Sequence, residues 1–562
     1  MPTTVAELDL SPVPGKLYFN LDREWREEFI YFLMVDRFHD DTPRSPVSGN
    51  GRSAGIKTPN DFYGGKIKGI TQNLDYIAGL GCTAIWLSPI FENNAGAYHG
   101  YNTANYLDID PHFGTRQDLI DLVAAAHARN MRVVLDVVIN HSGDNWHYPN
   151  NVDWQYFQDQ QFPFGGWRRA DRPVPTELRD ESLYHRRGSI QNYNDQNEVQ
   201  HGDIVSLKDY ANDDDTAGSR LINLLIQAHC YWIREADIDG FRVDAVKHMG
   251  ALACSRFSSG IREYAYSLGK RGFFLFGELA TPDDEIYDSY IGPNTSRQDN
   301  GETVFFGINS ILDFRLAQGA GSGREPLRDV IKGFAGPQTL FNRLEALRNR
   351  ALNRGELGRY LVTFVDNHDS FWQPGGRFGT GAPDAQIVAA IGFLLCYIGM
   401  ACIYYGTEQG IEGGADGDDN DLRRALFDTA TPGQNLLNPN CAIYKSIAAI
   451  AQVMREQEPL RFGRMYFRQI SGDGVGFGLP WGSTYTLAFS RLLYNQEILV
   501  AYNVSSVDRH DRVVVDASLH KAGDTMTYLY PKSKGSTIVE KAPNGTLFVR
   551  LDLDGHQFAI LE

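Results

Sequence analysis

The chain has 562 residues, with 70 Asp and Glu against 53 Lys and Arg and a formal net charge of −17. That balance argues against nucleic-acid binding, which needs clustered cations, and 42% hydrophobic with 22% charged residues excludes a disordered chain. At about 150 residues per domain the length suggests three or four units, unless one α/β barrel takes up most of it.

The N-terminal stretch MPTTVAELDLSPVPGKLYF has neither a basic n-region nor an apolar h-region, so no secretory signal is read there. Cys82, Cys230, Cys254, Cys396, Cys402 and Cys441 are scattered without a CxxC pair, as expected of reduced, buried thiols. A cytoplasmic location follows as the expectation, secretion being the alternative if the sequence has been trimmed. Apolar strand-like runs then recur at Phe29–Val35, Thr83–Leu87, Val133–Ile139, Gly240–Val243, Phe273–Phe276, Ser310–Phe314, Tyr360–Val365 and Ala401–Tyr405. Amphipathic stretches such as Arg116–Arg129 and Leu221–Ala236 lie between them. Eight strands alternating with helices predict a closed parallel barrel rather than an open doubly wound sheet.

A long insertion follows the third strand and carries Trp146, Tyr148, Trp154, Tyr156, Phe157, Phe164 and Trp167. Loops of this length are usually functional. Ile387 to Tyr405 is apolar and about long enough to span a bilayer, but Gly399 splits it into a helix-like and a strand-like half, which predicts buried elements. Beyond Leu460 the pattern turns to short alternating strands (Glu497–Val504, Arg512–Val515, Thr546–Leu561), with Asp554-Gly555 read as a tight hairpin turn. The predicted fold is a TIM (β/α)8 barrel with an inserted domain after strand three and a C-terminal antiparallel β-sandwich. Its predicted parts are an extension over 1–28, the barrel over 29–141 and 208–458, the insertion over 142–207 and the β domain over 459–562.

Polar residues close several of these apolar strands. LDVVINH supplies Asp136, Asn140 and His141; DGFRVDAVKH supplies Arg242, Asp244, Lys247 and His248; FGE supplies Glu278; FVDNHD supplies His368 and Asp369. Any one of them reads as a helix cap, an ion-pair partner or a structural histidine. Arg242 and Asp244, two residues apart, share a strand face and form an ion pair on the simplest reading. The set argues for more, because barrel active sites sit at the C-terminal strand ends and unpaired buried charge is costly. Two carboxyl groups in distinct environments are what glycosidic-bond cleavage requires. Asp244, held anionic by Arg242, suits attack at the anomeric carbon, and Glu278 suits proton donation. Asp369 would push the Glu278 pKa up and bond sugar hydroxyls. A separation of about 5–5.5 Å between the first two would mean a retaining route.

DVVINH, GFRVDAVKH, FGELA and FVDNHD together resemble, in order and position, the four main motifs of the α-amylase superfamily (glycoside hydrolase family 13). The resemblance implies the same barrel, inserted domain and C-terminal β domain. It implies Asp244 as nucleophile, Glu278 as general acid/base and Asp369 as transition-state stabiliser, with Arg242, His141 and His368 on the sugar. Tyr98-His99-Gly100-Tyr101 resembles the family segment in which Tyr101 stacks on a sugar ring, with His99 beside it; Asn102 stands where the family usually has Trp. Lys247-His248 resembles the pair found in enzymes acting on α-1,4-linked glucans. VSLKD, from Val205 to Asp209, resembles the end of the inserted domain, and GMACIYYGTE the eighth-strand motif, with Ala401 where Pro is common. A structural Ca2+ is implied on Asn140, Asp209 and the backbone carbonyl of His248, and a second ion is conceivable at Asp36, Asp40 and Asp41. The implied function is retaining hydrolysis of α-1,4 bonds in maltooligosaccharides or starch-like α-glucans; transglycosylation through the same intermediate is the alternative, and a non-catalytic carbohydrate-binding role a lesser one. Val205, where glucanotransferases place an aromatic, and the chain's end after one β domain lean towards hydrolysis. The short N-terminal stretch leans away from cyclomaltodextrinases. The expected partner is the glucan itself, with no nucleic acid and no membrane, and the oligomeric state stays open.

Overall fold

The computed structural model describes every residue except 1, 47–51, 53, 150–154, 214, 282–283, 292–295, 300–301, 306, 318–325, 351–359, 370–374 and 430–433. Eight parallel strands make one sheet: β1 (Phe29–Leu33), β2 (Ala84–Leu87), β3 (Arg132–Val137), β4 (Gly240–Val243), β5 (Phe274–Gly277), β6 (Ser310–Ile311), β7 (Val362–Thr363) and β8 (Met400–Tyr404). Their order is β6-β5-β4-β3-β2-β1-β8-β7. A parallel bridge between Leu312 and Val362 brings β6 and β7 together, and the Asp313 N–H donates to the Val362 carbonyl at 2.8 Å. The sheet thus curls into the expected barrel. Its strands read as continuous apolar runs because all are buried on both faces, by the barrel interior and by the helices outside.

Local signals fix the helices between the strands. Helix Arg116–His127 opens on a reciprocal capping box between Thr115 and Asp118. Helix Thr216–Ala236 opens on Asp215, whose side chain accepts from Gly218 N–H, and closes on Asp237 in the left-handed region. The apolar stretch near residue 400 divides as expected: helix Asp384–Cys396, then Gly399 at φ 106°, then β8. Among the described residues no helix is long and apolar enough to cross a membrane. All six cysteines are buried and free.

Between β3 and helix Thr216–Ala236 the chain makes its long excursion. His141–Ser142 pairs antiparallel with Lys208–Asp209, which clasps the two ends together. Buried Trp146 anchors the excursion, packing on Tyr148, Phe164 and Tyr184 with ring centroids 4.6, 5.4 and 5.8 Å away. Trp154 lies outside the described residues.

The C-terminal part is one nine-stranded antiparallel sheet: β9 (Arg464–Phe467), β10 (Ile470–Ser471), β11 (Thr486–Leu493), β12 (Gln496–Asn503), β13 (Arg509–Val514), β14 (Thr525–Tyr530), β15 (Ser536–Lys541), β16 (Leu547–Leu553) and β17 (Phe558–Leu561). The order is β9-β11-β12-β17-β14-β15-β16-β13-β10. Leu499 and Ala501 of β12 share one apolar core with Val513 of β13 and Val549 and Leu551 of β16, so the two halves of the sheet face each other as in a sandwich. One expectation fails here. Asp554-Gly555 does not close a hairpin, because β16 pairs with β15 and β13 while β17 pairs with β12 and β14. The Asp554 turn carries the chain from one half to the other, and its composition is the same in either use.

Candidate active site

Strand register assembles the site. In the ladder Asp136 of β3 and Phe276 of β5 flank Arg242 of β4, and side-chain alternation puts Arg242 and Asp244 on one face. The hydrogen-bond ladder continues beyond the strand ends: Asp244 N–H donates to the Val137 carbonyl and Glu278 N–H to the Val243 carbonyl, each at 2.9 Å. Asp244 and Glu278 are thereby held side by side at the C-terminal rim.

Arg242 is the hub. Its Nη1 donates to both carboxylate oxygens of Asp136 at 2.9 and 3.1 Å and to Asp244 Oδ1 at 2.6 Å, and its Nη2 donates to Glu278 Oε2 at 2.7 Å. The Ala245 N–H also reaches Glu278 Oε2 at 3.3 Å, helped by the left-handed turn of Ala245 at φ 50°. One buried cation therefore serves three carboxyl groups, the paired arrangement that burial of charge demands.

Burial raises all three carboxyls. Asp136 and Asp244 are pushed up to about 6 against the pull of Arg242. Glu278 is pushed up to about 8, by burial first and then by Asp244 and Asp369, with Arg242 opposing. At Asp244 desolvation outweighs the pull of the Arg242 guanidinium, so the carboxyl lies above rather than below its usual range. The ordering survives, and at neutral pH Asp244 is ionised while Glu278 holds a proton.

Across the rim, Arg423 sets the position of Asp369. Its Nη2 donates to Asp369 Oδ1 at 2.8 Å and its Nε to the His368 carbonyl at 2.8 Å. Tyr101 stacks on His368 with centroids 5.4 Å apart and donates from its hydroxyl to Asp136 Oδ2 at 3.0 Å, where Trp86 Nε1 also donates at 3.2 Å. The chain reaches Tyr101 through Gly100 at φ 90°, where a Cβ would lie 2.1 Å from the Pro89 carbonyl oxygen.

These groups surround a cavity of about 370 Å³, lined by Tyr101, His141, Asp244, Lys247, His248, Glu278, His368 and Asp369 together with Tyr193, Ile204, Leu207, Ala245 and Ala280. Such a volume suits a small-molecule site. Two expected sugar contacts are not among its walls. Arg242 is buried behind the carboxylates, its terminal nitrogens committed to them. His99 sits behind Tyr101, its Nδ1 accepting the Tyr101 N–H at 3.1 Å. Lys247 donates to the Tyr193 carbonyl at 3.0 Å, and the His141 Nε2 meets the Tyr101 carbonyl at 3.3 Å. Burial pushes His141 down to about 4 and His248 to about 3, and His368 falls well below its usual range, so these rings are neutral at the rim. Sequence reasoning missed Arg423 and Trp86, and the apolar wall of Tyr193, Ile204 and Leu207.

The ions implied for this fold fare differently. Asn140 and Asp209 are fully buried and touch, Asn140 Nδ2 to Asp209 Oδ1 at 3.3 Å. An asparagine amide can present either edge, so both residues can turn hard oxygens to one point, which is donor chemistry that fits calcium. The His248 ring is engaged by the Val199 carbonyl at 3.0 Å, leaving its backbone carbonyl as the relevant donor. A second ion at Asp36, Asp40 and Asp41 does not fit. Asp36 is taken by Arg37 and by the N–H groups of Tyr63 and Gly64, and Asp40 by Arg44 at 2.6 Å.

Carboxyl groups gathered at the C-terminal rim of a parallel barrel define an α/β-barrel protein with its site where such barrels carry theirs. The family model described as "Alpha amylase, catalytic domain" matches residues 32–435, and the chain belongs to that α-amylase family. It is similar to an α-amylase of Streptomyces lividans, at 25% identity over 96% of this chain and 64% of the relative, and to a cyclomaltodextrin glucanotransferase of Klebsiella oxytoca, at 28% over 69% and 58%. The chain thus spans less than two thirds of these curated relatives. Among solved structures it resembles the α-amylase of Geobacillus thermoleovorans complexed with acarbose (26% identity, TM-score 0.68, 96% of this chain and 99% of that one). It likewise resembles CldA, a cyclomaltodextrin glucanotransferase with a three-domain ABC distribution (25%, TM-score 0.69, 95% and 98%).

Proposed function

We propose that this protein cleaves α-1,4-glucosidic bonds of maltooligosaccharides or starch-like α-glucans by a retaining, double-displacement route. The observation that carries the reading is the single guanidinium of Arg242 holding Asp244 and Glu278 together, with Asp244 the stronger acid. Asp244 Oδ attacks the anomeric carbon as the bond to the leaving oxygen breaks, and Glu278 gives that oxygen its proton. The resulting glycosyl ester is cleaved when Glu278, now a base, takes a proton from an incoming water whose oxygen bonds to the anomeric carbon as the bond to Asp244 breaks. Asp369, positioned by Arg423, stabilises the oxocarbenium-like transition state, and Tyr101 offers its ring to the sugar. His141, His368, Lys247 and His248 take sugar hydroxyls along the cavity; the neutral His141 and His248 rings, whose one N–H each goes to a backbone carbonyl, offer the other nitrogen as an acceptor.

Asn140, Asp209 and the His248 carbonyl would hold a calcium ion. Its contribution would be structural, tying the inserted domain over 142–207 to the barrel over 29–141 and 208–458, with the β domain over 459–562 beyond.

Transfer to a sugar hydroxyl instead of water is the second reading, supported by the glucanotransferase relatives. The chain's end after one β domain does not discriminate, since CldA has three domains. Val205, 73% exposed beside the apolar wall of Ile204 and Leu207, offers no aromatic platform for an acceptor, and this favours hydrolysis. Incubation with maltoheptaose separates the readings: shorter products with rising reducing ends mean hydrolysis, longer chains without that rise mean transfer, and no change refutes both. Asp244→Asn is expected to abolish either activity while melting cooperatively; retained turnover would remove Asp244 from the nucleophile role.

A further inference from the structure

A separate set of side chains converges in the excursion after β3. His185, His201 and Asp213 bring two imidazole nitrogens and a carboxylate within 4.8 Å of one another. His185 Nε2 lies 3.0 Å from Asp213 Oδ2, and His201 Nε2 lies 3.5 Å from Asp213 Oδ1. The other nitrogen of each ring is already committed. His185 Nδ1 meets Asp209 Oδ2 at 2.5 Å, and His201 Nδ1 meets the Asn197 carbonyl at 2.7 Å. Both of those partners are acceptors, so each Nδ1 carries a proton. Against the effect of burial, Asp209 and Asp213 together push His185 up to about 9, so that without an ion its Nε2 also donates, and a metal would displace that proton to reach the lone pair. An imidazole fixed in this way by a carboxylate or a carbonyl is the arrangement found behind metal-binding histidines. The spacing is compatible as well. Bonds of about 2.0–2.2 Å in a tetrahedron place neighbouring donors about 3.3–3.6 Å apart; the His201 separation matches, and the shorter His185 one, to the other carboxylate oxygen, would open by about 0.3–0.6 Å around an ion.

We propose that His185, His201 and Asp213 form a binding site for a divalent transition ion of the zinc class, with water as a fourth ligand. Two nitrogen donors distinguish it from the oxygen-only chemistry of calcium. Asp209 links the two sites, its Oδ1 facing Asn140 and its Oδ2 facing His185. Asp213 is exposed and His201 half-buried, which gives an ion a way in. The ion would join helix Gln196–His201 to the segment entering helix Thr216–Ala236. The residues just after the shorter helix carry Ile204 and Leu207 to the cavity wall. The site would therefore staple the wall of the catalytic cleft. The rival arrangement is a metal-free triad in which protonated imidazoles donate to Asp213.

Cobalt is the direct probe. The full chain, stripped by chelator and kept in excess calcium, is titrated with Co2+ and then Zn2+. One Co2+ per chain with the visible absorption of a four-coordinate site, displaced by Zn2+, and a melting temperature that rises with Zn2+ are expected. His201→Ala and Asp213→Asn, chosen because neither side chain is fully buried, are expected to weaken binding at least about tenfold. Absence of the visible band in the wild type, or equal affinity in both variants, overturns the proposal in favour of the metal-free triad.

Discussion

Replacing Asp136 by Asn removes one negative charge from the Arg242 cluster at almost constant volume. Asp136 Oδ1 and Asp244 Oδ1 both accept from Arg242 Nη1, at 2.9 and 2.6 Å, so these oxygens lie no more than about 5.5 Å apart. Two unit charges at that distance repel by about 3 kcal/mol at an effective dielectric constant of about 20, equivalent to about two pKa units. Asp136 is among the groups that raise Asp244, so its neutralisation lowers the pKa of the carboxyl that must be ionised to attack. A group with a lower pKa stays charged to lower pH. The acid limb of kcat/KM therefore moves down from about 6 towards the ordinary aspartate range. In the wild type that limb belongs to Asp136 and Asp244 together; in the variant one group remains. Glu278 owes its rise chiefly to burial, Asp244 and Asp369, so the alkaline limb stays near about 8. The assay is kcat/KM for maltoheptaose as a function of pH, with a thermal melt at each pH to confirm folding. Weaker bonds to Arg242 lower stability by about 1.5–3 kcal/mol. A folded variant whose acid limb stays in place would refute the electrostatic coupling and leave burial as the sole cause of the Asp244 shift.

Arg423→Met frees Asp369 from its 2.8 Å partner and is expected to lower kcat about 100-fold, the scale of an ångström-sized misplacement. Arg423→Lys, which keeps the charge without the fork, should recover part of that loss, and unchanged kcat in the Met variant would contradict the positioning role. Gly100→Ala meets both a φ of 90° and the Pro89 carbonyl at 2.1 Å, whereas Gly96→Ala meets a φ of 80° in open space. Both should lose about 1–3 kcal/mol from backbone strain, but the Gly100 variant alone should also raise KM by displacing Tyr101. Thermal melts and initial rates on the pair decide it, and equal KM values would detach Tyr101 from the turn.

The barrel was legible because parallel strands buried on both faces leave uninterrupted apolar runs that survive without knowledge of partners. Strand length was less legible. Ser310–Phe314 and Tyr360–Val365 read as full strands, yet the paired segments are Ser310–Ile311 and Val362–Thr363, since pairing depends on the neighbour and not on the run. Asp554-Gly555 misled for a related reason: a turn's residues fix its local bend, while the strands it joins are chosen by packing far away.

The same distinction separates the carboxylates from their partners. Asp244, Glu278 and Asp369 were found because a charged residue ending an apolar strand is a local anomaly. The family resemblance puts Arg242 and His99 on the sugar, but a motif does not say which atoms are left over once neighbours have bonded. Arg242 commits its terminal nitrogens to Asp136, Asp244 and Glu278 and lies buried behind them, so no donor of its own faces the cavity. Arg423, 54 positions after Asp369, sits in no pattern at all, and only the closure of the barrel brings it within 2.8 Å. Proton placement follows from that three-dimensional count of charges. A single guanidinium facing three buried carboxyl groups cannot stabilise every one as an anion, so a proton is retained on the group that also faces Asp369, which is Glu278.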